Sequence, residues 1–209
     1  MYTLAGTMAR AILCGGLACL LSILGPSAVV PSASAAGGRC DPSTSQPFLP
    51  WLDPGLYVLP PGGAMESGSN RWKLARGARL VPGNEPFYAH DRADSQALSL
   101  PAGSSATTTR VCLDLLSPTL RFFAANPGPR SSRLQVAVRF RGLAGALLGT
   151  VTVASIAAGP AWAPTPPLLL LANVTAPVGT QDVQLVFTPT GSSGAWRIDD
   201  VYVDPWISH

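Results

Sequence analysis

The sequence is poor in the side chains that perform most acid–base and nucleophilic catalysis. It has two histidines, one of them His90, and its glutamates are Glu66 and Glu85. The motifs G-x-S-x-G, H-E-x-x-H and C-x-x-C do not occur. A Ser-His-Asp triad would have to combine His90 with Asp91 or Asp94, in a polar segment typical of a surface loop. A carboxylate pair for glycoside hydrolysis has no supporting motif around either glutamate. We therefore expect a protein that is not an enzyme.

Charge is also scarce. Charged residues make up 12% of the chain, and the formal net charge is +3. Lys73 is the only lysine, and the arginines are spread along the sequence without a cluster. Nucleic-acid binding depends on a concentrated basic surface, so we expect no nucleic-acid partner.

Helical periodicity is missing beyond the N-terminal segment, because no window there places apolar residues at i, i+3, i+4 and i+7. Short period-two runs occur instead. The clearest, 133–141, places Leu134, Val136, Val138 and Phe140 on one face. The other predicted strands are 77–81, 96–100, 110–114, 118–125, 147–153, 168–174, 181–187 and 196–203, with a turn at 188–194. These runs, separated by Gly, Pro and Ser turns, predict an all-β fold, a two-sheet antiparallel β-sandwich.

The N-terminus has the pattern of a secretion signal. Arg10 precedes an apolar run over 11–30, and Ala33-Ser34-Ala35 is a small-residue cleavage site. The run is long enough for a membrane span, but Pro26 and the small residues after it favour cleavage over retention as an anchor. We expect a signal peptide at 1–35, a Pro-rich extended arm at 36–61 and a sandwich domain at 62–206. The protein would then be secreted and extracellular, with no membrane attachment after cleavage.

The chain has four cysteines. Cys14 and Cys19 lie in the signal-like segment and lack a convincing lipobox. In an exported chain, Cys40 and Cys112 most simply form one disulfide. It would close a loop of about 70 residues, contribute about 4 kcal/mol and fasten the arm to the domain.

Two motifs resemble a known family. Residues 63–68 read Gly-Ala-Met-Glu-Ser-Gly and are followed by Trp72, and residues 196–203 read Trp-Arg-Ile-Asp-Asp-Val-Tyr-Val. They resemble the opening and closing strands of jelly-roll carbohydrate-binding modules with a galactose-binding-like fold, and Ser99-Leu100 is similar to an internal motif of the same family. The chain as a whole also looks like secreted proteins of high-GC Gram-positive bacteria.

This resemblance implies a structural calcium ion shared by the first and last strands. Its candidate ligands are Glu66, Asp199 and Asp200, together with backbone carbonyls. Calcium takes six to eight oxygen ligands, which such groups supply. In a regular strand, Asp199 and Asp200 point to opposite faces, and Asp199 shares its face with Val201 and Val203.

A carboxylate on the core side of a strand needs a partner, because an unpaired buried charge is costly. A cation is one possible partner. The alternatives are an ion pair of either aspartate with Arg197, Arg121 or Arg139, or exposure of the carboxylate to solvent.

The resemblance also implies an extracellular or cell-wall glycan as partner, bound by aromatic and polar side chains. The candidate ligand-binding residues are Trp162, in a loop between Pro160 and Pro164, and Tyr88 with His90. For each of them, local packing is the alternative. The alternative function is a secreted structural or protein-interaction module without a sugar site.

Overall fold

The computed structural model describes residues 43–67, 71–111, 119–170 and 175–204. The signal-like segment, Cys40 and Cys112 lie outside these residues, so the signal peptide and the disulfide stay predictions. In the described ranges the strands are β1 (Lys73–Ala75), β2 (Arg79–Pro82), β3 (Gln96–Pro101), β4 (Ser105–Thr107), β5 (Thr119–Ala125), β6 (Arg133–Arg141), β7 (Leu147–Ile156), β8 (Ala163–Pro164), β9 (Leu168–Leu169), β10 (Asp182–Thr190) and β11 (Ala195–Val203). Two 3-10 helices span Leu49–Trp51 and Leu143–Gly145. None of the described residues forms a helix with the length and hydropathy of a membrane span.

The strands form two antiparallel sheets. The five-stranded sheet has the order β1-β4-β10-β6-β7, and the six-stranded sheet has the order β2-β3-β11-β5-β8, with β9 also paired to β5. The closing strand β11 lies between β3 and β5, inside its sheet. The predicted all-β, two-sheet antiparallel sandwich is therefore confirmed.

The core lies between the sheets and follows the predicted alternation. Leu134, Val136, Val138 and Phe140 on β6 have no exposed surface. Burial of such side chains stabilises a fold by roughly 1.5–3 kcal/mol each. Because successive side chains of a strand point to opposite faces, a period-two pattern places all four on the same face. The sheet-facing prediction for β6 is correct.

Strand β10 is longer than predicted, because the expected turn over 188–194 begins only after Thr190. Pro189 lies within the strand, opposite Leu134 of β6. A proline cannot donate to a ladder, but β4 reaches only Val186 and Phe187 on the other side of β10. Pro189 therefore occupies a locally edge-like position, where a missing N–H is tolerated.

Other strand predictions agree only in part. Strands β1, β4 and β8 have two or three residues each, too few for an alternation to be seen. Of the predicted strand 110–114, the described residues contain Val111, which makes a single bridge to Val183.

The described part of the arm, 43–61, packs on the outer face of the six-stranded sheet. Its Phe48 and Tyr57 form an apolar cluster, here called the outer cluster, with Phe123 and Tyr202 of the sheet. The rings of Phe48 and Phe123 stack with their centroids 5.4 Å apart. A bridge between Val58 and β11 extends the contact. The arm is not extended throughout, because a 3-10 turn forms around Pro50, whose preset φ suits a first turn.

A buried arginine fastens this arm. Arg121 of β5 donates from Nε to the carbonyl of Thr165 at 2.9 Å, and its guanidinium lies 4.3 Å from the ring centroid of Phe48. It also forms an ion pair with Asp53, which accepts from the Tyr57 hydroxyl at 2.7 Å. Burial alone would raise the pKa of Asp53, but these hydrogen bonds and the guanidinium outweigh it and lower the pKa.

Candidate functional site

A β-bulge lies where the two consecutive aspartates occur. The pairing of β11 with β5 shifts register after Asp199, and Asp200 has a φ of 45°. The extra residue breaks the alternation, so both carboxylates are buried at 0% exposure. Asp199 lies opposite Phe123, on the outer face of the sheet, whereas Val201 and Val203 belong to the core. The prediction that Asp199 shares a face with these valines is wrong, because the bulge exchanges the faces after it.

The opening segment lies beside this bulge. The N–H of Val201 donates to the carbonyl of Gly63 at 3.0 Å. A Cβ at Gly63 would stand 2.7 Å from the carbonyl oxygen of Val201, so only glycine allows this approach. The two motifs that carry the family resemblance therefore meet in space.

A third buried carboxylate joins the pair. Glu85, at 0% exposure, comes from the β2–β3 loop, which spans residues 83–95. Its N–H donates to Asp199 Oδ2 at 3.0 Å, and Asp199 Oδ1 accepts from the N–H of Asp200 at 2.9 Å. We call Glu85, Asp199 and Asp200 the acidic cluster. Sequence reasoning missed Glu85, although its placement next to the apolar Pro86-Phe87 pair is a weak signal of burial.

Burial and neighbouring negative charge make Asp199 and Asp200 reluctant to ionise. Burial, and then the charge of Asp200, raises the pKa of Asp199 to about 9. Burial, and then the charge of Glu85, raises the pKa of Asp200 to about 7. Removal of a carboxylate from water disfavours its charged form, and neighbouring like charges add to that cost.

Neither an ion pair with an arginine nor exposure to solvent accounts for Asp199 and Asp200. Both aspartates are fully buried, and no ion pair in the described part of the chain includes either of them. Arg121 is engaged by Asp53 instead. Arg139 and Arg197 form no ion pair with the two aspartates in these ranges. The cost of burying these groups is therefore relieved by their protonation or by a cation from another source.

The acidic cluster holds the β2–β3 loop in one conformation. The Glu85 carboxylate accepts from the N–H groups of Phe87 and Ala89, the latter at 2.6 Å. Asp200 Oδ2 accepts from the N–H of His90 at 3.0 Å. Between these anchors, Tyr88 has a φ of 52° and its side chain is 49% exposed. Such a backbone conformation costs a non-glycine residue about 1–2 kcal/mol, which the flanking hydrogen bonds offset.

Aromatic side chains from different segments surround this loop. Phe87, 44% exposed, contacts Trp51 of the arm with ring centroids 4.9 Å apart. Trp162 is half-buried and, like Ala89, packs against the outer cluster. The predicted ligand-binding residues Trp162, Tyr88 and His90 thus come to the same side of the six-stranded sheet. Trp72 and Trp196 are core residues.

His90 is paired with an aspartate of its own loop. Its Nδ1 lies 2.8 Å from Oδ2 of Asp94, and one ligand-type atom each of His90, Asp94 and Asp200 lie within 4.8 Å of one another. The hydrogen bonds of the described residues place no serine hydroxyl on His90, so the His-Asp pair is not extended to a triad there.

The predicted calcium ligand Glu66 lies elsewhere. Its carboxylate accepts from the N–H groups of Ser95 and Gln96 at 2.7 and 2.8 Å. Among the described residues, the set of ligand-type side chains that converges is His90, Asp94 and Asp200, without Glu66. Of the ligands that the family resemblance implies, this set contains Asp200 but not Glu66.

No protein-family model and no curated protein sequence matches this chain. The solved structures that it resembles include jelly-roll carbohydrate-binding modules. A CBM22-1 xylan-binding domain from Paenibacillus barcinonensis is 11% identical, with 72% of this chain and 94% of that chain covered and a TM-score of 0.47. A family 11 carbohydrate-binding module of a cellulosomal cellulase from Clostridium thermocellum is 10% identical, with 73% and 96% covered and a TM-score of 0.44.

The K2 cleaved adhesin domain of Lys-gingipain is 13% identical, with 67% of this chain and 96% of that chain covered and a TM-score of 0.42. The resemblance predicted from the opening and closing motifs is thus to the same kind of module. At these identities and TM-scores the likeness says nothing about a ligand, and the likeness to secreted Gram-positive proteins stays a prediction.

Proposed function

We propose that this protein is a secreted, non-catalytic module that binds extracellular or cell-envelope glycan through the β2–β3 loop. The observation that carries the proposal is Tyr88, which is half exposed at a φ of 52° between neighbours hydrogen-bonded to buried carboxylates. A backbone held in one conformation restricts the directions in which the Tyr88 ring can project, and such preorganisation contributes to affinity.

The surroundings of Tyr88 support a sugar ligand. Small-molecule sites combine apolar and aromatic walls with a few polar groups. Phe87 and Trp162 supply apolar faces for the C–H side of a sugar ring, and His90 supplies a hydrogen-bonding group for hydroxyls. The signal-like N-terminal sequence supports an extracellular site of action.

Binding to glycans tests the proposal directly. We expect the protein to bind at least one soluble polysaccharide or cell-wall fraction in affinity electrophoresis and on a glycan array. Tyr88→Ala and Trp162→Ala should each weaken binding by about five- to thirtyfold, since an aromatic contact is worth about 1–2 kcal/mol.

Leu143→Ala is the matched control. Leu143 is 75% exposed, but it follows β6 of the five-stranded sheet, and its truncation should leave binding unchanged. The proposal fails if no glycan binds, or if binding survives both aromatic substitutions.

A protein partner is the second candidate, and a specific feature favours it. Leu49 and Leu52 of the arm are 51% and 93% exposed, on either side of the Trp51 that contacts Phe87. Exposed apolar surface of this kind is typical of protein interfaces. Capture of an envelope protein that is lost with Leu52→Asp, together with the absence of glycan binding, would favour this function.

A further inference from the structure

His90, Asp94 and Asp200 are arranged as a pocket of ligand-type atoms with an inner and an outer side. Asp200 is fully buried, the side chain of Asp94 is 7% exposed, and the ring of His90 is 39% exposed. The set joins two segments far apart in sequence, the β2–β3 loop and the bulge of β11. Two carboxylates thus form the inner wall, and an imidazole stands at the rim.

One oxygen of this pocket has no partner. Asp200 Oδ2 accepts from the N–H of His90, but Asp200 Oδ1 is buried without any hydrogen bond. A buried polar atom left unpaired costs about 1–3 kcal/mol, and native structures rarely tolerate it without an ion or a water. The unpaired Asp200 Oδ1 is a separate finding from the convergence of the three side chains, and it indicates a ligand at Asp200.

The charges around the pocket do not balance. Glu85 and Asp199 lie against Asp200 and add further buried carboxylates, whereas the cationic partner among the described residues of the pocket is His90, when protonated. A divalent cation would supply both the missing charge and a partner for the unpaired oxygen.

We propose that His90, Asp94 and Asp200 bind a divalent transition-metal ion of the zinc type. Zinc accepts imidazole nitrogen together with carboxylate oxygen, whereas calcium takes six to eight oxygen ligands. Three protein ligands leave a fourth, solvent-facing position for water or a ligand group. The donor set therefore differs from the Glu66-based calcium site that the family resemblance implies.

The geometry needs only a local adjustment. His90 Nδ1 and Asp94 Oδ2 are 2.8 Å apart as a hydrogen-bonded pair. Around a tetrahedral ion with bonds of about 2.1 Å, two donors are roughly 3.4 Å apart. The imidazole, which is 39% exposed, moves outward by that difference, the Asp200 donor lies within 4.8 Å of the other two, and the ion replaces the shared proton.

Metal titration of the EDTA-treated protein tests the inference. We expect calorimetry to detect one Zn²⁺ per chain, and thermal unfolding to shift upward by about 5–10 °C at a Zn²⁺ concentration 100 times the dissociation constant. Co²⁺ in place of Zn²⁺ should give visible absorption from nitrogen and oxygen coordination. Ca²⁺ over the same range should give no shift.

The two histidines of the chain provide matched variants. His90→Ala should lose Zn²⁺ affinity by at least about tenfold and leave the melting temperature in EDTA nearly unchanged, because the ring is at the surface. His209→Ala should bind Zn²⁺ as the wild type does. The inference is overturned if Zn²⁺ does not bind, if binding survives His90→Ala, or if Ca²⁺ alone stabilises the protein. None of these readouts depends on glycan binding.

Discussion

At the scale of single residues, Tyr88 is notable for a backbone conformation that costs free energy. Its positive φ is disfavoured for a side chain that carries a Cβ, yet its neighbours are held by Glu85 and Asp200. Nothing in the tyrosine itself calls for this conformation. The surrounding hydrogen bonds impose it, as they do at sites where a side chain must be presented in a fixed direction.

A glycine at this position should give a more stable protein than an alanine does, and both substitutions remove the tyrosine ring. Tyr88→Gly relieves the backbone strain but adds conformational freedom to the unfolded chain, so we expect a net gain of about 0.5–1 kcal/mol over Tyr88→Ala. Urea unfolding of the two variants measures this difference, and the glycan assay should show that both have lost binding. Equal midpoints for the two variants would mean that the backbone at this position is not strained.

At the scale of elements, the bulge in β11 determines where the carboxylates of Asp199 and Asp200 lie. The two-residue period of a strand predicts one buried and one outward aspartate, and the apolar pattern of Trp196, Ile198, Val201 and Val203 contains the irregular step that marks the bulge. Read with that step, the sequence places the core face correctly on both sides of Asp199 and Asp200. Read as a regular strand, it does not.

The arm is the second element whose placement matters, because it covers the outer face of the sheet that carries the acidic cluster. Arg121→Ala would leave Asp53 without its cation and Phe48 without the overlying guanidinium. We expect a loss of about 3 kcal/mol in the free energy of unfolding, since removal of one partner of a buried pair leaves the other uncompensated. Urea denaturation measures the loss, and proteolysis within 43–61 should accelerate.

The chain offers a matched control for this substitution. Arg110 pairs with Asp182, but its side chain is 61% exposed, so Arg110→Ala should change stability by less than about 0.5 kcal/mol. Similar losses from the two variants would show that Arg121 does not fasten the arm.

At the scale of the whole molecule, a few buried carboxyl groups determine how stability depends on pH, because burial controls their protonation. The net charge of +3 says little about the two buried aspartates, whose protonation depends on their surroundings. Because burial raises the pKa values of Asp199 and Asp200, the folded protein retains protons that the unfolded chain has already released.

Metal-free protein should therefore become less stable as the pH rises. An unfolded aspartate titrates near pH 4, so the contribution of each raised group is complete below that pH. It is lost as the pH rises through about 7 for Asp200 and about 9 for Asp199. We expect the free energy of unfolding in EDTA to fall by on the order of a few kcal/mol between pH 5 and pH 9.

Urea titrations at pH 5, 7 and 9 measure this trend, and Asp200→Asn should flatten its part near neutral pH because the amide does not titrate. Stability that rises over this range would contradict the burial of these carboxylates. Bound Zn²⁺ should weaken the trend by stabilising the ionised forms.

Local patterns along the chain were enough to predict the architecture. The period-two run of β6, the turn-rich spacing and the lack of helical periodicity predict an antiparallel sandwich, because each strand's alternation encodes which face is buried. The two end motifs also predicted Asp199 and Asp200 as site residues, and the structure buries both of them at the bulge. What the sequence could not reveal is which groups meet those aspartates across more than a hundred residues.

Only the tertiary structure determines which groups contact Asp199 and Asp200. Glu85 and His90 reach the aspartates because the β2–β3 loop folds over the bulge, and Arg121 is drawn to Asp53 because the arm lies on the outer face of the sheet. The alternation of apolar and polar residues along a strand indicates which face is buried, and it can be read from residues close together in the sequence. Charge partners depend on register, bulges and loop paths, and these are set only when the two sheets close around their core.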